Sequence, residues 1–434
     1  MSAALRSFEA QWHARKADSL QAVREAAMTR FLKLGLPTQR DETWRYTDLR
    51  SLAAQSFVDA SCETRSEIVP SAWPSLLDAD QTAHTLLMIN GCPLLSANIS
   101  ETNNIKIRTI RDLSLSDPKS LLRFFEPASD ADQRRWVLLN TALFVDGLYL
   151  KIPLGRHQPL VILHVSTAEG AHDLAHPRVI VDVDQGASAT IIEHHVARGD
   201  HPRVINSNTH VALARDAQLE HYRVYATAGA ATHLDALDIH QAQGSRCKQF
   251  TVAVGGGLVR SSLEAHLNQP GASLDSYSLL VGHEDRHVDC VNIVTHGAPD
   301  TRSRQTARAI ASDASRVIFN SKVIVNAGAI HSDSQQSCRG LLLSPTAEID
   351  TRPQLEIHAD EVKCAHGATT GRLDPDMLFY LVSRGLDRAT AQSLLVYAFL
   401  ADVLTGMSVA SARAAIENTL ISQLPDSQTL RKFR

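Results

Sequence analysis

Residues 355–367 read LEIHADEVKCAHG. If this stretch is extended, Val362, Cys364 and His366 fall on one face, because strand side chains alternate with a period of two. A thiol and an imidazole then stand side by side. Thiolate and neutral imidazole are among the softer protein ligands and suit iron or zinc. The same pair also suits a nucleophile whose thiol pKa is lowered by an adjacent histidine. The plain alternative is a structural cysteine beside a solvated histidine. Two ligands neither complete a four-coordinate metal site nor hold a cluster, so any metal bound here needs ligands from another strand or another chain.

Other residues invite chemistry less strongly. The six cysteines, Cys62, Cys92, Cys247, Cys290, Cys338 and Cys364, are far apart and form no C-x-x-C, so neither a disulfide framework nor a self-sufficient metal cage is expected. Gly255-Gly256-Gly257 lacks the Lys-Ser/Thr of a phosphate loop and is read as a tight corner, leaving no nucleotide site in this chain. His283, Glu284, Asp285, His287 and Asp289 could bind a hard metal or move protons. Dense charge of this kind more commonly marks a solvated turn. In Asp41-Glu42-Thr43-Trp44-Arg45-Tyr46-Thr47, the aromatic rings of Trp44 and Tyr46 predict a loop pinned to the body of the protein.

The elements that must position these residues show in the texture of the chain. Apolar residues recur at helical spacing from Leu5 to Leu34, with Gly35 and Pro37 as a stop. Residues 50–130 are mixed, with a turn signal at Asn90-Gly91 after the apolar run Leu86 to Ile89. From about Trp136 the pattern becomes short alternating strands. A small or acidic residue followed by Ala or Ser recurs at Gly186, Asp216, Gly244, Gly271, Asp313 and Thr346, at intervals of 30, 28, 27, 42 and 33 residues. A period near thirty predicts stacked turns and favours a parallel β-helix over a sandwich or jelly roll. After Gly371, Asp374-Pro375 starts a helix that stops at Gly385, Asp387 opens a second, and a third runs from about Ser408 to Leu424. The expected organisation is a helical and connecting region at 1–130, a β-helix core at 131–371 and a helical region at 372–434, with the terminal helices acting as end caps or docking surfaces.

Composition narrows the function classes. The net charge of −4 arises from 43 basic and 47 acidic residues, too balanced for a nucleic-acid or anionic-membrane partner. The amino terminus lacks the apolar core of a secretory signal and no run approaches a membrane span, so a cytoplasmic location is expected.

Four stretches together resemble the SufB/SufD family of iron–sulfur cluster assembly proteins: Asp41 to Asp48, Gly282 to Ala298, Val317 to Lys322 and above all Asp350 to Leu373 (DTRPQLEIHADEVKCAHGATTGRL), followed by LFYLVSRGL at Leu378 to Leu386. The run Lys363-Cys364-Ala365-His366-Gly367 places the chain on the SufD side of that family. The resemblance implies a mainly β protein: a right-handed parallel β-helix core with α-helical amino- and carboxyl-terminal regions. It further implies a non-enzymatic subunit of a complex with SufB and two copies of the ATPase SufC. The carboxyl-terminal helices would dock SufC, and the β-helix would pair with SufB, or with a second copy when isolated. His366 and Cys364 match the family's candidate iron or cluster ligands at that interface, where iron or a nascent cluster is held transiently. A flavin is associated with the assembled complex in this family, but no dinucleotide fingerprint marks a site here. Alternatives are a SufB-like scaffold acting as a homodimer, a β-helix carbohydrate-active enzyme, which would need clustered carboxylates along a groove, and a stand-alone Cys/His hydrolase, which would need an oxyanion donor and an orienting residue near Cys364.

Overall fold

The computed structural model describes residues 2–60, 62, 84–95, 101–102, 104–125, 134–167, 172–198, 201–227 and 229–422. From Leu148 onward the chain alternates between two long parallel sheets. One holds β1 (Leu148–Ile152), β3 (Arg178–Val183), β5 (Arg203–Leu213), β7 (Ala231–Gln241), β9 (Leu258–Leu267), β11 (His287–His296), β13 (Arg316–Val325) and β15 (Glu348–Ile357). The other holds β2 (Leu160–Thr167), β4 (Ser188–Arg198), β6 (Gln218–Tyr225), β8 (Arg246–Ala253), β10 (Ser273–Gly282), β12 (Arg302–Ala311), β14 (Asp333–Leu342) and β16 (Lys363–Gly371). Each strand pairs with the strand two later, which makes a parallel β-solenoid of about seven turns, as the period near thirty predicts.

What makes the chain turn is a corner residue held at positive φ. Gly186, Asp216, Gly244, Gly271, Asp300, His331 and Glu361 all lie between +55° and +74°, one per turn, at intervals of 30, 28, 27, 29, 31 and 30 residues. Their amides form a ladder up the corner: Gly186 N donates to Arg215 O at 3.0 Å and His331 N to Glu361 O at 3.0 Å. The expected ladder follows this corner as far as Gly271 and then jumps to Asp313 and Thr346, which belong to the opposite corner between the even and odd strands. The anomalous step of 42 residues is that change of corner. The true continuation was hidden because Asp300, His331 and Glu361 carry side chains where glycine is the usual signal. Gly255 and Gly256 do sit in a corner, between β8 and β9. A Cβ on Gly255 would stand 2.3 Å from Thr227 O, and Gly256 has φ +95°.

Inside the coil, one half of the lumen is apolar. Ile191, Val211, Leu219, Leu237, Leu263, Val294 and Val323 stack in a single buried cluster, each worth roughly 1.5–3 kcal/mol of burial. The helices lie on the flanks of the solenoid, and this corrects the expectation of end caps. α1 (Ala3–Ala14), α2 (Gln21–Leu34) and α3 (Arg135–Leu143) cover the outer face of the odd-numbered sheet, burying Phe8, Phe31, Trp44 and Trp136 against Val204 and Leu234. At the other terminus come α4 (Pro375–Ser383), α5 (Arg388–Leu404) and α6 (Ala410–Ser422). α5 and α6 bury Val396, Leu400 and Ile416 against a stacked row of Tyr222, Phe250 and Tyr277 on the even-numbered sheet, with ring centroids 4.7 and 4.8 Å apart. The predicted N-caps hold: Asp374 accepts from the amides of Asp376 and Met377, and Asp387 from that of Thr390. The predicted end of the third helix at Leu424 lies outside the described residues.

Three further differences stand out. The β texture expected from Trp136 begins only at Leu148, because residues 135–143 form α3, whose apolar residues are buried nearly all round. Within the stretch read as a connecting region, His84–Ile89 pairs in parallel with β2 and turns back through Asn90 and Gly91, so it extends the solenoid's own sheet. Cys62 and Cys92 form a disulfide, against the expectation of none. Their separation of 30 residues has no motif, and only the docking of the strand Cys92–Leu94 brings the pair together. Among the described residues no helix is long and apolar enough to cross a membrane.

Candidate functional site at the open end of the solenoid

β16 is the last strand of its sheet and pairs with β14 along one edge. In that register Cys364 lies opposite Ser334 and His366 opposite Gln336, both inward positions of β14. The two residues therefore do share the lumen-facing side, as the alternation predicts. Among the described residues no further turn follows, and every residue of β16 except Cys364 is exposed. Cys364 is half-buried against the apolar lumen cluster and His366 is exposed. Cys364 is the only free cysteine among the described residues that is not buried. Burial pushes its thiol up, Asp333 adds to this, and a backbone hydrogen bond at Ser334 opposes it. It is thus a protonated thiol at neutral pH and lacks the activation of a hydrolase nucleophile. Burial also raises Cys290 to about 11 and Cys338 to about 12, consistent with inert packing roles.

His366 ends a row that sequence reading missed. His221, Gln249, Ser276, Gln305, Gln336 and His366 occupy successive inward positions in direct register. At ~4.8 Å per strand the row runs about 24 Å through the solenoid. Ser276 Oγ donates to Gln249 Oε1 at 3.1 Å and Ser321 Oγ to Gln336 Oε1 at 2.8 Å, while the Gln305 amide is buried without a partner. One half of the lumen is thus apolar and the other half polar. A signal did exist in the sequence: polar residues at inward positions recur with the same period near thirty, but only the register shows that they align.

At the far end of this row is a buried cluster. Glu193 on β4, 1% exposed, accepts from Thr209 Oγ1 at 2.8 and 2.9 Å; its oxygens lie 3.0 Å from His164 Nε2 and 2.9 Å from His221 Nε2. The His164 and His195 rings stack with centroids 4.3 Å apart. Beside them Arg223 Nη1 donates to Asp235 Oδ1 at 2.9 Å, and Tyr225 donates to Asp235 Oδ2.

The Asp41 to Thr47 segment is pinned as expected, across the outer face of the odd-numbered sheet. The Arg260 guanidinium lies 3.7 Å over the Trp44 ring, donates to Thr43 O at 2.7 Å and pairs with Asp289, which also accepts from Thr47 Oγ1. Arg352 on β15 pairs with Glu42 at 2.6 Å. The charged group at His283 to Asp289 divides accordingly: Glu284 and Asp285 form an exposed turn, whereas Asp289 is buried in this strap.

Residues 164–399 match the family model described as the SUF system FeS cluster assembly SufBD core domain, and residues 5–160 match that of the SufBD protein N-terminal region. The chain is similar to the iron–sulfur cluster assembly protein SufD of Escherichia coli, 30% identical over 91% of this chain and 90% of that one. It is also similar to an iron–sulfur cluster assembly SufBD family protein of Synechocystis, 28% identical over 91% and 88%. The SufD protein of Bacillus subtilis is 22% identical over 68% of each chain.

Proposed function

This chain belongs to the SufB/SufD family of iron–sulfur cluster assembly proteins, most like SufD, and from that premise we propose that it is a non-catalytic subunit that pairs with a SufB partner through the open end of its solenoid. The observation that carries this reading is the uncovered last turn. β16 is almost wholly exposed, has one edge open, and carries Cys364 and His366 on its lumen-facing side beside that open edge. Open strand edges are ready templates for pairing with another chain. A partner seated there would supply the ligands that Cys364 and His366 lack, and iron or a nascent cluster would be held between the two chains as cargo. The cytoplasm is the compartment this role calls for.

We further propose that α4 docks the ATPase SufC. Its buried face is limited to Leu378, while Met377, Phe379, Tyr380 and Val382 are 55%, 73%, 56% and 39% exposed. α5 and α6 already spend their apolar faces on the solenoid. An apolar patch of this kind on a short helix fits a protein partner.

Co-purification with SufB and SufC, followed by anaerobic reconstitution, tests both parts. His366→Ala is expected to keep the complex and lose cluster content; an unchanged cluster yield would refute the ligand role. Phe379→Asp with Tyr380→Asp is expected to release SufC and leave SufB bound. Retention of SufC in that variant would refute the docking assignment.

A further inference from the structure

We propose that the solenoid lumen holds a second, separate metal site, in which His164 on β2 and Glu193 and His195 on β4 bind a divalent transition-metal ion such as Zn²⁺ or Fe²⁺. One ligand atom from each of the three residues lies within 4.8 Å of the others. All three side chains are buried, at 3%, 1% and 2% exposure. Two donors at ~2.0–2.1 Å from a shared ion stand about 3 to 3.5 Å apart. The His164 Nε2 to Glu193 Oε2 separation is already 3.0 Å, and the His195 ring, stacked on that of His164 with centroids 4.3 Å apart, offers the third donor atom within 4.8 Å of the other two.

Two observations point to a cation beyond the clustering itself. His195 Nε2 is buried with no hydrogen-bond partner, its nearest carboxylate oxygen being Asp235 Oδ2 at 3.6 Å. A lone pair or N–H left this way is costly in a folded interior. The second observation is charge. Arg223 makes its direct ion pair with Asp235, so the hydrogen-bond partners of the buried Glu193 carboxylate are two imidazoles and the Thr209 hydroxyl, with no cation bonded to it, and a buried charge is stabilised by a close counter-charge. A divalent ion supplies it and uses the His195 lone pair at the same time. Two imidazoles and a carboxylate form a donor set suited to iron or zinc, with positions left for water or for His221, whose Nε2 lies 2.9 Å from the other Glu193 oxygen. Thr209, which donates to Glu193, is the outer partner that fixes the carboxylate. This site, on β2 and β4, stands apart from Cys364 and His366 on β16 and includes no thiol, and does not depend on their role.

The test uses the full chain, produced in Co²⁺-supplemented medium and desalted. One Co²⁺ per chain with visible d–d absorption is expected. Glu193→Gln and His195→Gln should each lower retained Co²⁺ by at least tenfold at unchanged circular dichroism, whereas Cys364→Ser with His366→Ala should leave it. Absence of Co²⁺ from the wild type, or loss of the signal in the Cys364/His366 variant alone, would overturn the proposal. If the lumen variants fail to fold, X-ray absorption of the wild-type Co²⁺ protein decides: nitrogen and oxygen ligation supports the site, and sulfur in the first coordination sphere assigns the ion to a cysteine and overturns it.

Discussion

Replacing Asp289 by Asn strands a buried cation and should loosen the amino-terminal strap. Arg260 and Asp289 are 5% and 1% exposed, and removal of one member of such a pair costs about 3–5 kcal/mol because the other charge stays buried. Asp289→Asn and Arg260→Met are each expected to cost that much. The double variant has no uncompensated charge. It loses chiefly the Arg260 hydrogen bond to Thr43 O, worth about 1 kcal/mol, and the contact with Trp44, worth about 1–2 kcal/mol. It should therefore be less destabilised than the sum of the single variants by at least about 2 kcal/mol. Hydrogen exchange at the amides of Trp44 to Thr47 reads this directly. A loss of about 3 kcal/mol in local opening accelerates exchange roughly 150-fold at 1.4 kcal/mol per decade. If the double variant exchanges as fast as the two single effects added together, the pair is not coupled and the reasoning is wrong.

Burial holds His176, His210 and His233 down to about 3 and His296 to about 4. These imidazoles are neutral in the fold and gain protons on unfolding, so the unfolded state binds more protons below its pKa of ~6.5 and stability falls as the pH is lowered from there toward 3–4. At pH 5.5 unfolding should take up roughly three to four protons from these groups; a urea midpoint that does not change between pH 7.5 and 5.5 would contradict this. Gly255→Ala places a methyl group against the Thr227 carbonyl and should cost about 1–3 kcal/mol, seen as a lower urea midpoint; an unchanged midpoint would show that the corner can relax. Thiol titration of the denatured, unreduced chain should count four free cysteines, Cys247, Cys290, Cys338 and Cys364, rising to six after reduction; six at the outset would rule out the Cys62–Cys92 bond.

Much of this protein was legible without coordinates. The alternation of strands, the period near thirty, the N-caps at Asp374 and Asp387 and the shared face of Cys364 and His366 are local facts, set by φ/ψ preference and side-chain alternation within a few residues. The corner ladder was readable as far as Gly271 because small residues announce positive φ, and it was lost where Asp300, His331 and Glu361 adopt the same conformation. Tertiary structure decided what depends on register and stacking. It joined Cys62 to Cys92, laid the terminal helices on the outer faces of the sheets and so left the last turn open, and divided the lumen into apolar and polar halves. The row from His221 to His366 and the cluster at His164, Glu193 and His195 exist because inward positions of successive turns lie ~4.8 Å apart. Apart from Glu193 and His195, which share one strand, neighbouring side chains in these groups are separated by about thirty residues in the chain, beyond the reach of any local pattern, and only the parallel pairing of whole turns brings them together.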